Sequence, residues 1–311
     1  MTSMAAGQHR VAEVSFGARL GAAMQSHGRL CVGLDPHPQI LSDWGLTQDA
    51  AGLREFCARV LAACTERVGV IKPQVAFFER FGVAGLQVLS EVQAQARESG
   101  LLVIADAKRG DVGSTMAGYA EAWLNPAGDF AADALTVSPY LGFGSLQPAL
   151  DAAQEHRAGL FVLALTSNPE GREVQLATDP QGVTVAGRVA TAAAAANVSA
   201  AAAANVSAAT ATATQDHPVD AAEDLGSIGL VVGATTAELA GAHGIDLSTG
   251  SMPLLAPGYG AQGASAEDLR RGFGACYSRQ VLVNSSRGIL AAGPRMESLT
   301  SAIDQALEDL S

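Results

Sequence analysis

Eight short apolar runs, each followed by a stretch of helical periodicity, leave this chain few folds to choose from. The runs are 30–35 (LCVGLD), 68–74 (VGVIKPQ), 101–108 (LLVIADAK) and 134–140 (ALTVSPY), then 159–167 (GLFVLALTS), 228–235 (IGLVVGAT), 252–258 (MPLLAPG) and 280–287 (QVLVNSSR). They are continuous rather than alternating, the pattern of strands covered on both faces of a parallel sheet. Between them Leu53, Phe56, Cys57, Val60, Leu61 and Cys64 recur at the spacing of one buried helix face, as do Leu86, Leu89 and Val92. Strand–helix units repeated in this way predict an α/β fold, a (β/α)8 TIM barrel of the phosphate-binding type, with residues 1–311 forming a single domain. A doubly wound sheet is the competing architecture, but no G-x-G-x-x-G follows the first strand.

One segment stands apart. Residues 192–199 read AAAAANVS, residues 200–207 repeat the same eight letters, and Thr and Ala continue to Thr214. Alanine favours helix, but Asn-Val-Ser every eighth residue matches no helical stripe. Residues 191–218 therefore read as a low-complexity insertion, mobile and functionally silent. Its two Asn-x-Ser sequons would matter only in a secreted protein.

Charge narrows the partners. With 31 Asp plus Glu against 19 Lys plus Arg, the formal charge is −12, which offers no electrostatic footprint for nucleic acid or an anionic membrane. An anionic small molecule has to be held by a local cluster of donors. Cys31, Cys57, Cys64 and Cys276 form no C-x-x-C pair and lie in apolar stretches, as buried reduced thiols of a cytoplasmic protein do. No signal peptide is expected where His9, Arg10, Glu13 and Arg19 interrupt the N-terminal residues, and no run of about 18 strongly apolar residues is present to span a bilayer.

In such a barrel the chemistry gathers at the C-terminal ends of the strands. Read in order, those ends offer Asp35, then Lys72, then Asp106 with Lys108, followed by Ser138 and Tyr140, then Thr166, Ser167 and Asn168. The seventh and eighth ends supply Pro257-Gly258-Tyr259-Gly260 and Asn284-Ser285-Ser286-Arg287-Gly288. Glycine loops there let backbone N–H groups approach a phosphate, with Arg287 and Gln262 as further donors; the plainer alternative is that the glycines only permit tight turns. In the run DAKRGDVGST, Asp106 and Lys108 are two apart and so project to one side, and Asp111 follows a turn. With Lys72, two carboxylates can alternate with two ammonium groups. That array keeps lysine protonated, suiting it to donate a proton rather than to form a Schiff base. The competing reading is a salt-bridge network that merely closes the barrel top.

The D-x-K-x-x-D motif Asp106/Lys108/Asp111, together with Asp35, Lys72 and the late glycine–arginine loops, resembles the orotidine 5′-phosphate decarboxylase family. DAKRGDVGST, IKPQVAFFE at 71–79 and TSNPEG at 166–171 resemble its second sequence type, and the likeness runs from about Arg29 to Leu290 outside the insertion. The resemblance implies conversion of orotidine 5′-phosphate to UMP, the last step of de novo pyrimidine biosynthesis, without cofactor or metal. By the same resemblance Lys108 protonates C6 of the pyrimidine, and Asp106 is its carboxylate neighbour. Lys72 and Asp35 meet the ribose, and Ser167 reads the pyrimidine edge. Gly258, Gly260, Gln262 and Arg287 grip the phosphate, while Asp111 and Thr115 are lent to the neighbouring site of a homodimer. Val112 stands where the family usually has Ile.

His37 and Arg172 have no partner visible in sequence; His37 reads as a loop histidine and Arg172 as either solvated or near substrate. Arg109 reads as pairing with surface carboxylates, and Trp44 and Trp123 as packing residues. Two rival functions remain open. A Mg²⁺-dependent sugar-phosphate decarboxylase or synthase of the same superfamily would want another strand-end Glu. A non-catalytic nucleotide-phosphate binder would have no use for buried alternating charges.

Overall fold

The structure, a computed structural model, describes residues 14–211 and 225–311. An N-terminal helix α1 (Phe16–His27) precedes β1 (Leu30–Leu34), α2 (Ala50–Cys64), β2 (Val70–Pro73), α3 (Gly82–Glu98), β3 (Leu102–Arg109) and α4 (Gly113–Leu124). The alternation continues through β4 (Ala134–Val137), α5 (Gln147–Glu155), β5 (Gly159–Leu165), α6 (Val185–Ala211), β6 (Ile228–Val232) and α7 (Ala237–Ala242). It ends with β7 (Leu254–Pro257), α8 (Ala266–Phe273), β8 (Val281–Ser285) and α9 (Met296–Leu310). The eight strands form one closed barrel in sequence order, all parallel, with β8 pairing back onto β1. The predicted (β/α)8 architecture is the one observed, and each predicted apolar run holds one strand.

Two apolar layers explain the continuous runs. Outward side chains such as Val32, Ile71, Val103 and Leu135 pack against the ring of helices, to which α2 contributes Leu53, Phe56, Cys57, Val60, Leu61 and Cys64, all buried. Inward side chains Cys31, Val70, Ile104, Phe161, Val231, Leu255 and Leu282 fill the barrel. Its lower end is closed by α1. Ser15 caps that helix by accepting from the Ala18 N–H at 3.2 Å, and Phe16 and Leu20 join the inner layer. The Phe16 ring stands edge-on to Phe161 with centroids 6.0 Å apart. Gly159 makes room, since a Cβ there would lie 2.1 Å from the Phe16 ring. Arg19 pairs with Asp133, fixing the plug to the foot of β4.

The segment expected to be an insertion from residue 191 is different in the structure. Residues 191–211 continue α6, and Ala186, Ala190, Ala193, Ala194 and Asn197 form its buried stripe. The Asn197 amide accepts from the Ile228 N–H at 2.9 Å and donates to the Ile228 carbonyl at 2.8 Å and the Gly250 carbonyl at 3.2 Å. The stripe escapes an ordinary reading because it is inverted: the polar Asn197 faces the barrel, and Val198 of the same repeat is 60% exposed. Small alanines let the helix approach closely, so the first AAAAANVS unit belongs to the barrel wall. Residues 212–218 of the expected insertion lie outside the described residues.

All four cysteines are free and buried. Burial pushes the Cys64 thiol up to about 12, with Arg67 opposing. Among the described residues no helix is long and apolar enough to cross a membrane.

Candidate active site

Parallel closure brings every strand's C-terminal end to one face, and a cavity of about 920 Å³ opens there. Asp35, Lys72, Asp106, Lys108, Ser167, Gly258, Gln262 and Arg287 all line it. Asp111, Thr115 and Gly260 do not.

Asp106 is the centre of the charged cluster. Lys72 donates to its Oδ2 at 2.6 Å and Lys108 to its Oδ1 at 2.5 Å. Lys72 is 4% and Asp106 9% exposed at the side chain, whereas Lys108 is 45% exposed. Both lysines line the cavity, Lys72 from a buried position at its floor and Lys108 with its side chain open to it. Burial by itself pushes the Asp106 carboxyl up, but the Lys72 and Lys108 charges outweigh it and hold the group well below the usual carboxylate range. Burial likewise pulls the Lys72 ammonium down, and Asp106 and then Asp35 reverse this, so that its pKa ends above the ordinary lysine value. Both groups are charged at neutral pH.

The expected alternation of two carboxylates and two ammoniums is present with one change of partner. Asp111 stays out of it: its Oδ1 accepts from the Val112 N–H at 2.8 Å, at the start of α4. Asp35 takes its place as the second carboxylate acting on Lys72. Nor do Asp106 and Lys108 meet through simple strand alternation. The β3–β4 ladder slips between Ala105 and Arg109, and Lys108 has φ +49°, a left-handed backbone that side chains rarely adopt. The bulge, rather than the two-residue period, aims the lysine back at Asp106.

Two further donors complete the carboxylate, and neither was singled out in the sequence. Gln74 Nε2 donates to Oδ2 at 3.1 Å, and the Thr136 hydroxyl donates to Oδ1 at 3.0 Å. Their signals were present but faint: Gln74 lies two residues after Lys72, and Thr136 is a lone hydroxyl in the apolar run ALTV. Asp35 Oδ1 and Asn284 Oδ1, both buried beside the cavity, have no hydrogen-bond partner among the described residues. Unpaired buried acceptors suit a ligand that carries hydroxyl donors.

The opposite rim is built from the ends of β7 and β8. Gly258 has φ +110° and is buried, and a Cβ there would sit 3.2 Å from Gln262 Oε1. Tyr259 ties the loop to α9 by donating to Asp309 at 3.1 Å. Gly260 serves the turn itself, donating its N–H to the Ala264 carbonyl at 2.9 Å. Arg287 stands exposed at the start of a one-turn helix after β8 and forms no ion pair among the described residues. A glycine loop, an amide and an exposed guanidinium on one rim can hold a phosphate.

The remaining candidates sort themselves by position. His37 lines the cavity and packs on Phe77 with ring centroids 4.2 Å apart. Arg172 is exposed and outside the cavity wall. Arg109 pairs with Glu79 at 2.5 Å and lies over the rings of Tyr119 and Trp123. Trp44 packs on Phe56 and donates to the Leu290 carbonyl at 3.0 Å.

A model of the "Orotidine 5′-phosphate decarboxylase / HUMPS family" matches residues 28–302. The chain is 50% identical over 290 residues to an orotidine 5′-phosphate decarboxylase of Streptomyces coelicolor, covering 93% of this chain and 95% of that protein. It is 48% identical over 295 residues to one of Salinispora arenicola, covering 95% and 96%. A Streptomyces avermitilis crystal structure of a candidate orotidine 5′-phosphate decarboxylase superposes with TM-score 0.83 at 50% identity, covering 96% of this chain and 95% of that one. The Leishmania donovani OMP decarboxylase superposes with TM-score 0.73 at 29% identity, covering 96% and 98%.

Proposed function

The chain belongs to the orotidine 5′-phosphate decarboxylase / HUMPS family and decarboxylates orotidine 5′-phosphate to UMP in pyrimidine biosynthesis; within that reaction we propose that Lys108 is the proton donor and Asp106 its fixed counter-charge. The observation that carries this reading is the buried Asp106 carboxylate bridging Lys72 at 2.6 Å and Lys108 at 2.5 Å, with Lys108 the far more exposed of the two lysines that line the cavity. As the C6–carboxylate bond breaks, its electron pair stays on C6, where no neighbouring carbonyl delocalises it. An ammonium already fixed at that point stabilises the developing charge without reorganisation. Transfer of one Nζ proton to C6 then yields UMP and CO₂, and the exposed Lys108 recovers its proton from water.

Asp106 contributes by staying charged. The Lys72 and Lys108 charges favour its ionised form, so a substrate carboxylate brought near it meets a like charge, and loss of CO₂ relieves that repulsion. Its carboxylate is also committed to lysine, with both oxygens taken by protein donors, which disfavours a Mg²⁺-ligand role in a sibling sugar-phosphate enzyme. At the far rim Gly258, Gln262 and Arg287 hold the phosphate, with Gly260 shaping their turn. Ser167 reads the pyrimidine edge, and Asp35 and Lys72 meet the ribose hydroxyls. Energy from the remote phosphate favours closure of the 258–264 loop over the reacting end.

Asp111 and Thr115 lie outside their own cavity, with the 55% exposed Val112 beside them. We take them to complete the site of a second protomer in a homodimer. Buried free thiols fit a cytoplasmic setting.

The test is absorbance loss of orotidine 5′-phosphate in EDTA with product analysis, on the unaltered chain and on Lys108→Ala. The unaltered chain is expected to release UMP and CO₂. Lys108→Ala is expected to bind UMP but to lose turnover by more than about 10³-fold, since it removes both the charge and the proton. Retention of more than a few per cent of activity would remove Lys108 from the role.

A further inference from the structure

Thr136 is 1% exposed and sits between Leu135 and Val137 in β4, a strand otherwise made of apolar side chains. Valine would fill the same volume and favours strand at least as well, so packing gives no reason for a hydroxyl here. Burying one is costly unless it is hydrogen-bonded, and this one is bonded twice. Its oxygen accepts from the backbone N–H of Lys108 at 2.9 Å, and its proton goes to Asp106 Oδ1 at 3.0 Å.

The place of these two bonds in the sheet gives them their meaning. Ala105 pairs with Leu135 and Arg109 with Val137, so residues 106–108 of β3 bulge opposite Thr136 alone. At the top of that bulge Lys108 adopts its left-handed backbone, φ +49°. Its N–H takes the Thr136 hydroxyl where a regular ladder would offer a strand carbonyl. A sparsely populated backbone state of this kind persists only where surrounding contacts over-determine it.

We propose that Thr136 is a positioning residue for the decarboxylation, its hydroxyl pinning the Lys108 backbone to the Asp106 carboxylate and so setting the direction of the proton-donating ammonium. The inference rests on the decarboxylase reading given above and adds a residue of the cavity wall that acts through Lys108 and Asp106. Without the hydroxyl, the Lys108 N–H is left unpaired at the bulge, and Asp106 keeps Lys72, Gln74 and Lys108 but loses the donor that orients Oδ1. Misplacement of a reacting group by about 1 Å costs on the order of 10²-fold in rate.

The experiment compares Thr136→Val with Thr136→Ser in kcat, KM and UMP affinity, with thermal melts as a check on folding. Thr136→Val is expected to lower kcat by about 10²-fold while KM and UMP affinity stay within about threefold, and Thr136→Ser to recover most of the rate. Should Thr136→Val fail to fold, Thr136→Ala poses the same question. The proposal is overturned if the hydroxyl-free variant keeps kcat within a few-fold of the parent. It is equally overturned if Thr136→Ser falls as far as Thr136→Val, or if UMP affinity collapses along with kcat. An unaltered chain that leaves orotidine 5′-phosphate intact would instead sink the decarboxylase reading itself, and this inference with it.

Discussion

Lys72 and Asp106 hold each other at opposite ends of their titration ranges, and this sets a pH window. Asp106 is depressed, so its contribution to stability is complete above its unfolded value of about 3.9 and fades as pH falls through the folded one. Lys72 is raised, so its contribution is complete below its unfolded value of about 10.4 and fades as pH rises through the folded one. Between about pH 4 and pH 10 the pair therefore adds a constant amount. Lys72→Met leaves Asp106 buried with half of its cationic support, and its carboxyl moves upward. Melting temperature followed against pH should then fall less on acidification below about pH 4 than in the parent chain, because the gap between the folded and unfolded carboxyl narrows; parallel curves for the two proteins would contradict the coupling. How much of this site could be read in advance follows from charge. Asp35, Lys72, Asp106, Lys108 and Arg287 are legible because a charged residue closing an apolar strand has few structural excuses. Gln74 and Thr136 are not, because a neutral side chain in or beside a strand end is commonplace until its partner is known. The exchange of Asp111 for Asp35 in the charge array was likewise illegible: spacing along one strand says nothing about which neighbouring strand's carboxylate a lysine will face.

At the scale of elements, the strands were legible and α6 was not, for one physical reason. Strand signals here come from bulky β-branched residues in unbroken runs, whereas α6 beyond Val189 buries only alanines and an asparagine among its described side chains and exposes Val198. Hydrophobic periodicity cannot register a stripe whose most informative member is polar. Asn197 does the work of an extra strand end: its amide takes the N–H and the carbonyl of Ile228 at the start of β6. Gly226 lies close by, a Cβ there falling 2.3 Å from the Asn197 amide carbon. Asn197→Ala should therefore cost about 1–3 kcal/mol, through buried backbone groups left without partners. Chemical denaturation would show the loss, with kcat little altered because the amide sits far from the strand ends that carry the chemistry. A change below about 0.5 kcal/mol, the level of ordinary surface substitutions, would return the repeat to the status of a passive insert.

For the whole molecule, sequential parallel closure places all eight strand ends on one rim and leaves no edge strand to cover. That rim is also where Asp111, Val112 and Thr115 stand exposed or half-exposed, outside the cavity of their own chain. If a second protomer uses them, Lys108→Ala and Asp111→Ala chains, each inactive alone, should regain activity when mixed and allowed to exchange. One intact site per heterodimer sets the ceiling at about a quarter of normal activity for a statistical mixture of dimers, two sites to each. Mixed chains that exchange yet stay silent would place Asp111 outside the neighbour's site. The other end of the barrel carries a different consequence. With α1 seated under the inner layer and Phe16 against Phe161, the described residues close the chamber at that end. Substrate, carbon dioxide and nucleotide all share a single doorway, so the order of departure is decided by grip rather than by route: the gas, with nothing to hold it, leaves first, and the phosphate-anchored product leaves last.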